Sequence, residues 1–163
     1  MLVKIDYQKT AEAFRKAPEI MARELRRELM RSLETVSEYA AKHHRFKSSG
    51  KPKSIEQSIQ WDVGSGGIQG EIYLNEGIAK HGPYIHNGTG LYGPRKKRIK
   101  FKAKNRKALY WVSGGKKHFA KSVTIKGIHP DKFLYRAMRI NKKNITENFS
   151  RAIGRGIVAA GVK

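Results

Sequence analysis

The sequence predicts a single α+β domain over residues 1–163, in which long amphipathic N-terminal helices and a C-terminal helix pack on an antiparallel sheet of about four strands. Apolar residues recur at spacings of three and four over residues 1–45 and 130–155, as in helices with one buried face. Between them, residues 55–125 contain short alternating runs separated by glycines, the pattern of hairpins. The length suits one domain, and the glycines of residues 156–163 predict a frayed end.

The N-terminal region predicts two helices. Tyr7 to Lys16 forms a short helix, and Pro18 fits the first turn of a second helix that ends near Arg45. At ~1.5 Å per residue this second helix is ~40 Å long, so it either lies across one sheet or packs against another subunit. Its apolar stripe contains Met21, Leu25, Leu29, Leu33, Val36 and Ala40. The opposite face is expected to be exposed and to carry Arg23, Arg26, Arg27 and Arg31 mixed with Glu24, Glu28, Glu34 and Glu38.

The first hairpin follows a basic, breaker-rich loop at residues 46–54. Ile59, Trp61 and Val63 alternate with polar residues, and Ile68, Ile72 and Leu74 do so after a glycine-rich turn. No Gly-Lys-Ser/Thr follows the glycines of residues 64–67, so a hairpin turn is favoured over a phosphate-binding loop.

A second pair of strands is predicted after Gly93-Pro94. Residues 99–104 form one strand, residues 105–107 turn, and residues 108–112 return, followed by a flexible basic loop at 114–118 and one further extended segment at 119–125. Ile99, Phe101 and Ala103 share one face of the first strand. The other face, extended upstream, is cationic and consists of Lys96, Arg98, Lys100, Lys102 and Lys104. Like charges on one strand face repel, so this array has an electrostatic cost unless anions neutralise it.

The charge distribution predicts a polyanionic partner. The chain carries a net charge of +22. Residues 1–91 hold 14 basic and 11 acidic residues, whereas residues 92–163 hold 21 basic residues and only two acidic ones. Such a field attracts nucleic acid, but it is equally compatible with acidic protein neighbours in an assembly.

Catalysis, metals and cofactors are not expected from this sequence. There is no cysteine, and the six histidines lack carboxylates at ligand-like spacings, with Asp131 as the one exception. In the basic half only Asp131 and Glu147 could serve a metal-dependent nuclease, which needs clustered acids. No apolar run is long enough for a membrane span, and residues 1–6 show no signal-peptide core. The expectation is a soluble intracellular protein that is not an enzyme.

A glycine-rich segment at residues 80–90, which we call the hub segment, divides the two halves of the chain. Its glycines predict turns with positive φ or close backbone approaches, with Tyr84 and Ile85 as an apolar anchor between them. Tyr84-Ile85-His86-Asn87-Gly88-Thr89 resembles the "tyrosine, aliphatic, glutamate, any, glycine, threonine" core of a tailed-bacteriophage neck family, the small head–tail joining or tail-completion proteins of siphophages and prophages.

Two further segments are similar to the same family and occur in the expected order. Lys107-Ala108-Leu109-Tyr110-Trp111 resembles its lysine, alanine and aromatic strand. Phe133-Leu134-Tyr135-Arg136-Ala137 resembles its signature at the start of the last helix, in which Phe133, Leu134 and Ala137 are the matching positions. The chain departs from the family at His86, where glutamate is common, and at Pro130, which lies three residues before Phe133 instead of directly before it.

The resemblance implies a virion protein that is assembled in the host cytoplasm and multimerises between capsid and tail, with Tyr84, Ile85, Gly88 and Thr89 as structural residues. Its partners would be other head, neck and tail proteins and further copies of itself. The cationic strand could contact packaged double-stranded DNA through phosphates, without reading bases. Two alternatives are an independent, sequence-independent nucleic-acid-binding protein and a nuclease or toxin-type enzyme, for which histidine and carboxylate partners are not found.

Overall fold

The computed structural model describes residues 8–46, 54–65, 69–104 and 106–161. Two long helices, α1 (Gln8–Lys42) and α4 (Phe133–Ala159), are the first and the last elements of the described chain. Between them lie α2 (Ile55–Ser58), α3 (Gly82–Asn87), a 3-10 turn (Gly90–Tyr92) and the strands β1 (Ile59–Val63), β2 (Gly70–Leu74), β3 (Ile99–Lys102), β4 (Leu109–Ser113), β5 (Lys116–Ala120) and β6 (Ser122–Ile125). The predicted α+β class with antiparallel strands is confirmed.

The N-terminal region is one helix and not two. Pro18 lies inside α1, whose 35 residues span ~52 Å. The helix continues because a proline removes a single backbone hydrogen bond, a local cost of ~3 kcal/mol within a long cooperative element. The predicted start at Tyr7 and most of the predicted loop at residues 46–54 lie outside the described residues.

Helix α4 packs antiparallel on α1. The amide N–H of Arg45, just after α1, donates to the Asp131 carboxylate just before α4, while Met21, in the first half of α1, lies beside Gly156. Buried Ala152 and Gly156 let the two helices approach closely. Because Gly156 is held in this contact, α4 runs four residues past its predicted end at residue 155, and the predicted fraying is wrong for residues 156–159.

Two glutamates of α1 face α4 instead of solvent. Glu24 and Glu28 are buried, contrary to the prediction that both belong to the exposed charged face. The Arg155 guanidinium on α4 lies 3.4 Å from Glu24 and 3.3 Å from Glu28. Arg27 lies 2.7 Å from Glu24, so that carboxylate has two cationic neighbours. The buried face of α1 therefore includes more than its apolar residues. The two carboxylates can be buried there because Arg155 of α4 compensates their charge.

The core lies where the C-terminal half of α1 meets the start of α4 and the first hairpin. Val36 and Ala40 on α1 pack with Ile55, Ala79 and the completely buried Phe133. Half-buried residues surround this cluster, namely Tyr39, Phe46, Ile59, Ile72, Leu74, Ile85, Leu134 and Ile145. The predicted stripe of α1 is thus most deeply buried at Leu33, Val36 and Ala40.

The described strands form three separate two-stranded ribbons and not one sheet of about four strands. The predicted β1–β2 hairpin is confirmed, although Ile68 lies outside the described residues. The second predicted pair is wrong: β3 pairs with β6, and β4 pairs with β5. The reason lies at Gly114 and Gly115, whose φ angles of 58° and 75° make the two-residue turn that closes β4 directly on β5.

The hub segment crosses the chain just before α4. The Thr89 amide donates to the Ile128 carbonyl at 2.9 Å, and the Ile128 amide donates back to Thr89 Oγ1 at 3.0 Å. Two residues further, the Leu91 amide donates to the Lys126 carbonyl at 2.7 Å. At the crossing Gly90 lies against Gly127. A Cβ on Gly90 would overlap the backbone of Lys126, and a Cβ on Gly127 would overlap the backbone of Thr89. The hub segment therefore fixes the approach of the chain to α4.

We expect Gly90→Ala to destabilise the fold far more than Gly114→Ala. Both glycines have positive φ, but a Cβ at Gly114 meets nothing within 4 Å, whereas a Cβ at Gly90 overlaps the backbone of Lys126. Gly114→Ala should cost ~1–2 kcal/mol from backbone strain alone, and Gly90→Ala roughly 3–5 kcal/mol. Urea unfolding followed by circular dichroism measures both, and equal losses would show that the crossing is not tight.

We also expect Arg155→Met to destabilise the protein more than Arg151→Met, one turn away on the same helix. Arg155 compensates two buried carboxylates, but its own side chain is 45% exposed, so solvent screening reduces the loss to roughly 1–3 kcal/mol. Arg151 is 68% exposed and pairs only with Glu147 at 3.6 Å, so its loss should be about 0.5 kcal/mol or less. The free energy of unfolding at neutral pH tests the difference, which should shrink in the Glu24→Gln/Glu28→Gln background.

Candidate interaction surfaces

The residues at the start of α4 serve the core. Phe133 and Ala137 are completely buried and Leu134 is half-buried. Asp131 precedes them and accepts hydrogen bonds from the Arg45 amide and from the Arg136 guanidinium, the latter at 3.0 Å. The Asp131 amide in turn donates to the Ile85 carbonyl at 3.0 Å. These contacts join the hub segment, the end of α1 and the start of α4.

Tyr84 and Ile85 do not form one apolar anchor. Ile85 packs on the core, but the Tyr84 side chain is 62% exposed. In helix α3 consecutive side chains point about 100° apart, which directs Tyr84 away from the core contact of Ile85. The predicted apolar anchor therefore consists of Ile85, while Tyr84 lies at the surface.

His86 is buried beside this start of α4. Its ring makes an edge contact with Phe133 and stacks on Tyr135, with centroid distances of 5.0 and 5.5 Å. Burial lowers the pKa of His86 below its usual 6.5, and the positive charge of Lys132 lowers it further, while Asp131 acts in the opposite direction. At neutral pH His86 is thus an uncharged aromatic residue at the edge of the core.

The five cations of the predicted strand face are all exposed. Lys100 and Lys102 lie on one face of the β3–β6 ribbon, opposite Thr124 and Ser122, while Phe101 lies on the other face beside Val123. Lys96, Arg98 and Lys104 lie in the flanking loops. None of the five forms an ion pair with a described residue. The alternation is therefore as predicted, but the ribbon that carries it is short.

A cleft of about 650 Å³ lies between the hub segment and the loop before β3. Arg95, Lys97 and Arg98 line it together with exposed Tyr84 and residues 87–90. Of the predicted contact residues only Arg98 reaches this cleft. Arg95 and Lys97 were missed because strand alternation singles out every second residue, whereas the preceding loop follows no period. Their position in one run of basic residues, 95–98, was the available signal.

The β4–β5 hairpin exposes an aromatic face. Tyr110 and Phe119 are cross-strand partners with ring centroids 5.1 Å apart, and they are 53% and 69% exposed. The next pair on this face, toward the turn, is Val112 and Lys117, which are also exposed. Trp111 stacks on His118 on the reverse face. The Leu109-Tyr110-Trp111 motif thus forms a projecting surface instead of a buried strand.

The histidines are dispersed. His43 stacks on Tyr39, His129 on Tyr92, and His44 lies 3.2 Å from Glu56. Within the described ranges no three His, Asp or Glu side chains come close enough to hold a metal ion. The same part of the chain contains no helix of the length and apolarity that crossing a membrane demands.

Comparisons with protein-family models, with curated proteins and with solved structures gave no match to this chain.

Proposed function

We propose that this protein is a structural component of a tailed-bacteriophage neck, which acts in head–tail joining or tail completion by multimeric assembly. The observation that carries the proposal is the exposed aromatic hairpin. Its Tyr110 and Phe119 rings pack on each other and remain largely exposed. Apolar groups that project in this way typically mark a surface for a protein partner.

The ribbon architecture supports the same proposal. A two-stranded ribbon is marginally stable alone and leaves both of its edges unpaired. The described chain has three such ribbons, and a neighbouring subunit could cover the faces and edges of β4–β5 and β3–β6. The three motifs also fit structural roles: the hub glycines and Thr89 form the crossing, Phe133 and Ala137 form the core, and the aromatic strand forms the projecting hairpin.

Removing this gene from the phage or prophage that carries it should prevent head–tail joining. Electron microscopy should then show filled heads and separate tails, and wild-type protein supplied from a plasmid should restore joined particles. The Tyr110→Ala/Phe119→Ala variant should restore few, because it lacks the aromatic surface. Val158→Ala, a change at the exposed end of α4, is the matched control and should restore them fully. Joined particles at the wild-type frequency without the gene would refute the neck role.

Sequence-independent DNA binding is a second candidate function, and the basic cleft favours it. Arg95, Lys97 and Arg98 converge on one concavity that an exposed tyrosine also lines. Guanidinium and ammonium groups bind phosphates, and a tyrosine ring can stack on an unpaired base or lie against a sugar. Packaged DNA in a neck could meet this cleft, so the two candidate functions are compatible.

We expect the protein to bind duplexes of unrelated sequence with similar affinity, and the affinity to fall steeply as salt rises. Arg95→Gln/Lys97→Gln/Arg98→Gln should flatten the slope of log K against log salt by up to ~0.9 per lost phosphate contact. Lys142→Gln/Lys143→Gln/Arg151→Gln removes the same charge from α4 and should change the slope little. Fluorescence anisotropy at about 0.05–0.2 M salt measures both.

The strand variant Lys100→Gln/Lys102→Gln/Lys104→Gln tests the sequence-based assignment separately. A larger effect here than in the cleft variant would place the phosphates on the β3–β6 ribbon. Equal effects of all three variants would show attraction by net charge alone, and no binding at about 0.05 M salt would refute the DNA-binding function.

A further inference from the structure

We infer that the β4–β5 hairpin of one copy of this protein docks into an apolar groove on a second copy, and that this head-to-tail contact builds the multimer. The inference rests on the proposed assembly function and specifies the partner of its aromatic surface. It is carried by three properties of the described residues: an apolar groove, an acidic pair without a counter-ion beside that groove, and a hairpin with the complementary order of groups.

The groove has a volume of about 300 Å³, at the lower end for pockets that bury a ligand. Its apolar lining comes from three elements: Leu33 and Val36 of α1, Ile72 of β2, and Leu134 and Met138 of α4. The only imidazole in its lining, that of His86, has a lowered pKa and is neutral. The groove therefore suits an apolar or aromatic side chain.

The acidic pair lies next to the groove on the β1–β2 hairpin. Asp62 and Glu71 are direct cross-strand partners, and both are exposed. Like charges at such positions repel, and neither carboxylate forms an ion pair with a described residue, although the chain carries a net charge of +22. Gly70 lines both the apolar groove and the depression that Asp62 and Glu71 border, so the two surfaces are contiguous.

The β4–β5 hairpin presents the matching groups on one face. Its aromatic pair, Tyr110 and Phe119, is followed toward the turn by Val112 and Lys117 at the next same-face position, ~7 Å along the strands. Lys116 adjoins Lys117 beside the turn. When the aromatic pair lies in the groove, Lys117 lies toward the acidic pair. Docking would therefore bury the exposed aromatic area and give the two carboxylates a cationic partner.

A second copy is the occupant that this charge pattern favours. The chain's acidic residues are concentrated in residues 1–91 and its cations in residues 92–163, so one copy's hairpin and another copy's β1–β2 region carry opposite charge. A contact between two different surfaces of identical chains is heterologous, and it generates a ring when the rotation closes.

Cross-linking tests the pairing directly, because the chain has no cysteine of its own. Val112→Cys and Gln69→Cys variants, which keep Lys117, Asp62 and Glu71, are purified, mixed and treated with a short bismaleimide at low salt. We expect a cross-linked heterodimer in the mixture well above the dimer yield of either variant alone. Val158→Cys in place of Gln69→Cys is the control and should give only the background yield. Equal yields with Val158→Cys and Gln69→Cys, or no cross-link above background in either mixture, would overturn the inference.

Self-association by sedimentation gives the second measurement. Tyr110→Ala/Phe119→Ala should raise the Kd by roughly 30-fold or more, as the loss of aromatic hot-spot residues does. Met138→Asp should do the same from the groove side, and Met138 is 54% exposed, so the variant should fold. A mixture of these two variants should still form a heterodimer, because one retains the groove and the other the hairpin. Wild-type protein that stays monomeric at all concentrations, or a hairpin variant that associates normally, would refute the contact.

The pairing and the neck role can fail separately. If the hairpin variant blocks head–tail joining but no selective cross-link forms, the neck role stands and the hairpin binds another virion protein. If the copies pair as inferred but particles join without the gene, the pairing stands and the neck role falls.

Discussion

The crossing of residues 88–91 over residues 126–128 is the constraint on which the rest of the structure depends. Three backbone and side-chain hydrogen bonds hold it, and Gly90 and Gly127 meet where no side chain would fit. From this crossing the chain continues to Asp131. The Asp131 carboxylate accepts a hydrogen bond from the Arg45 amide, just after α1, and the Asp131 amide donates to the Ile85 carbonyl in α3. The crossing therefore sets where α4 begins, and the direction of α4 then determines which residues of α1 become buried.

The long helices contain a second, electrostatic element. Glu24 and Glu28 lie in the interface of α1 with α4, and Arg155 reaches both. Replacing either partner alone leaves charge uncompensated in a partly buried site, so the ion pairs favour one alignment of the two helices. The interface also contains Ala152 and Gly156, small residues that bury little apolar area. Ion pairs and close backbone approach thus stabilise the helix pair around Arg155, and the apolar core stabilises it around Phe133.

The aromatic hairpin and the basic cleft belong to the middle of the chain. The two helices and the β1–β2 hairpin form the core, while β3 to β6 form ribbons that bury little and expose aromatic and cationic groups. The basic cleft lies at the boundary, because the hub segment lines it with Tyr84 and simultaneously anchors the core through Ile85.

The sequence by itself determined the α+β class, the helical stripe from Leu33 to Ala40, the β1–β2 hairpin and the alternation of Lys100 and Lys102 with Phe101, because each depends on local periodicity. Tertiary structure alone decided the rest. β3 pairs with β6 because the Gly114-Gly115 turn pairs β4 with β5 instead. The burial of Glu24 and Glu28 depends on an arginine more than 120 residues away. The cleft that Arg95 and Lys97 line depends on an aperiodic loop that folds against the hub segment. Long-range contacts select among the arrangements that local pattern permits, and neither strand partners nor counter-ions are encoded in the spacing of nearby residues.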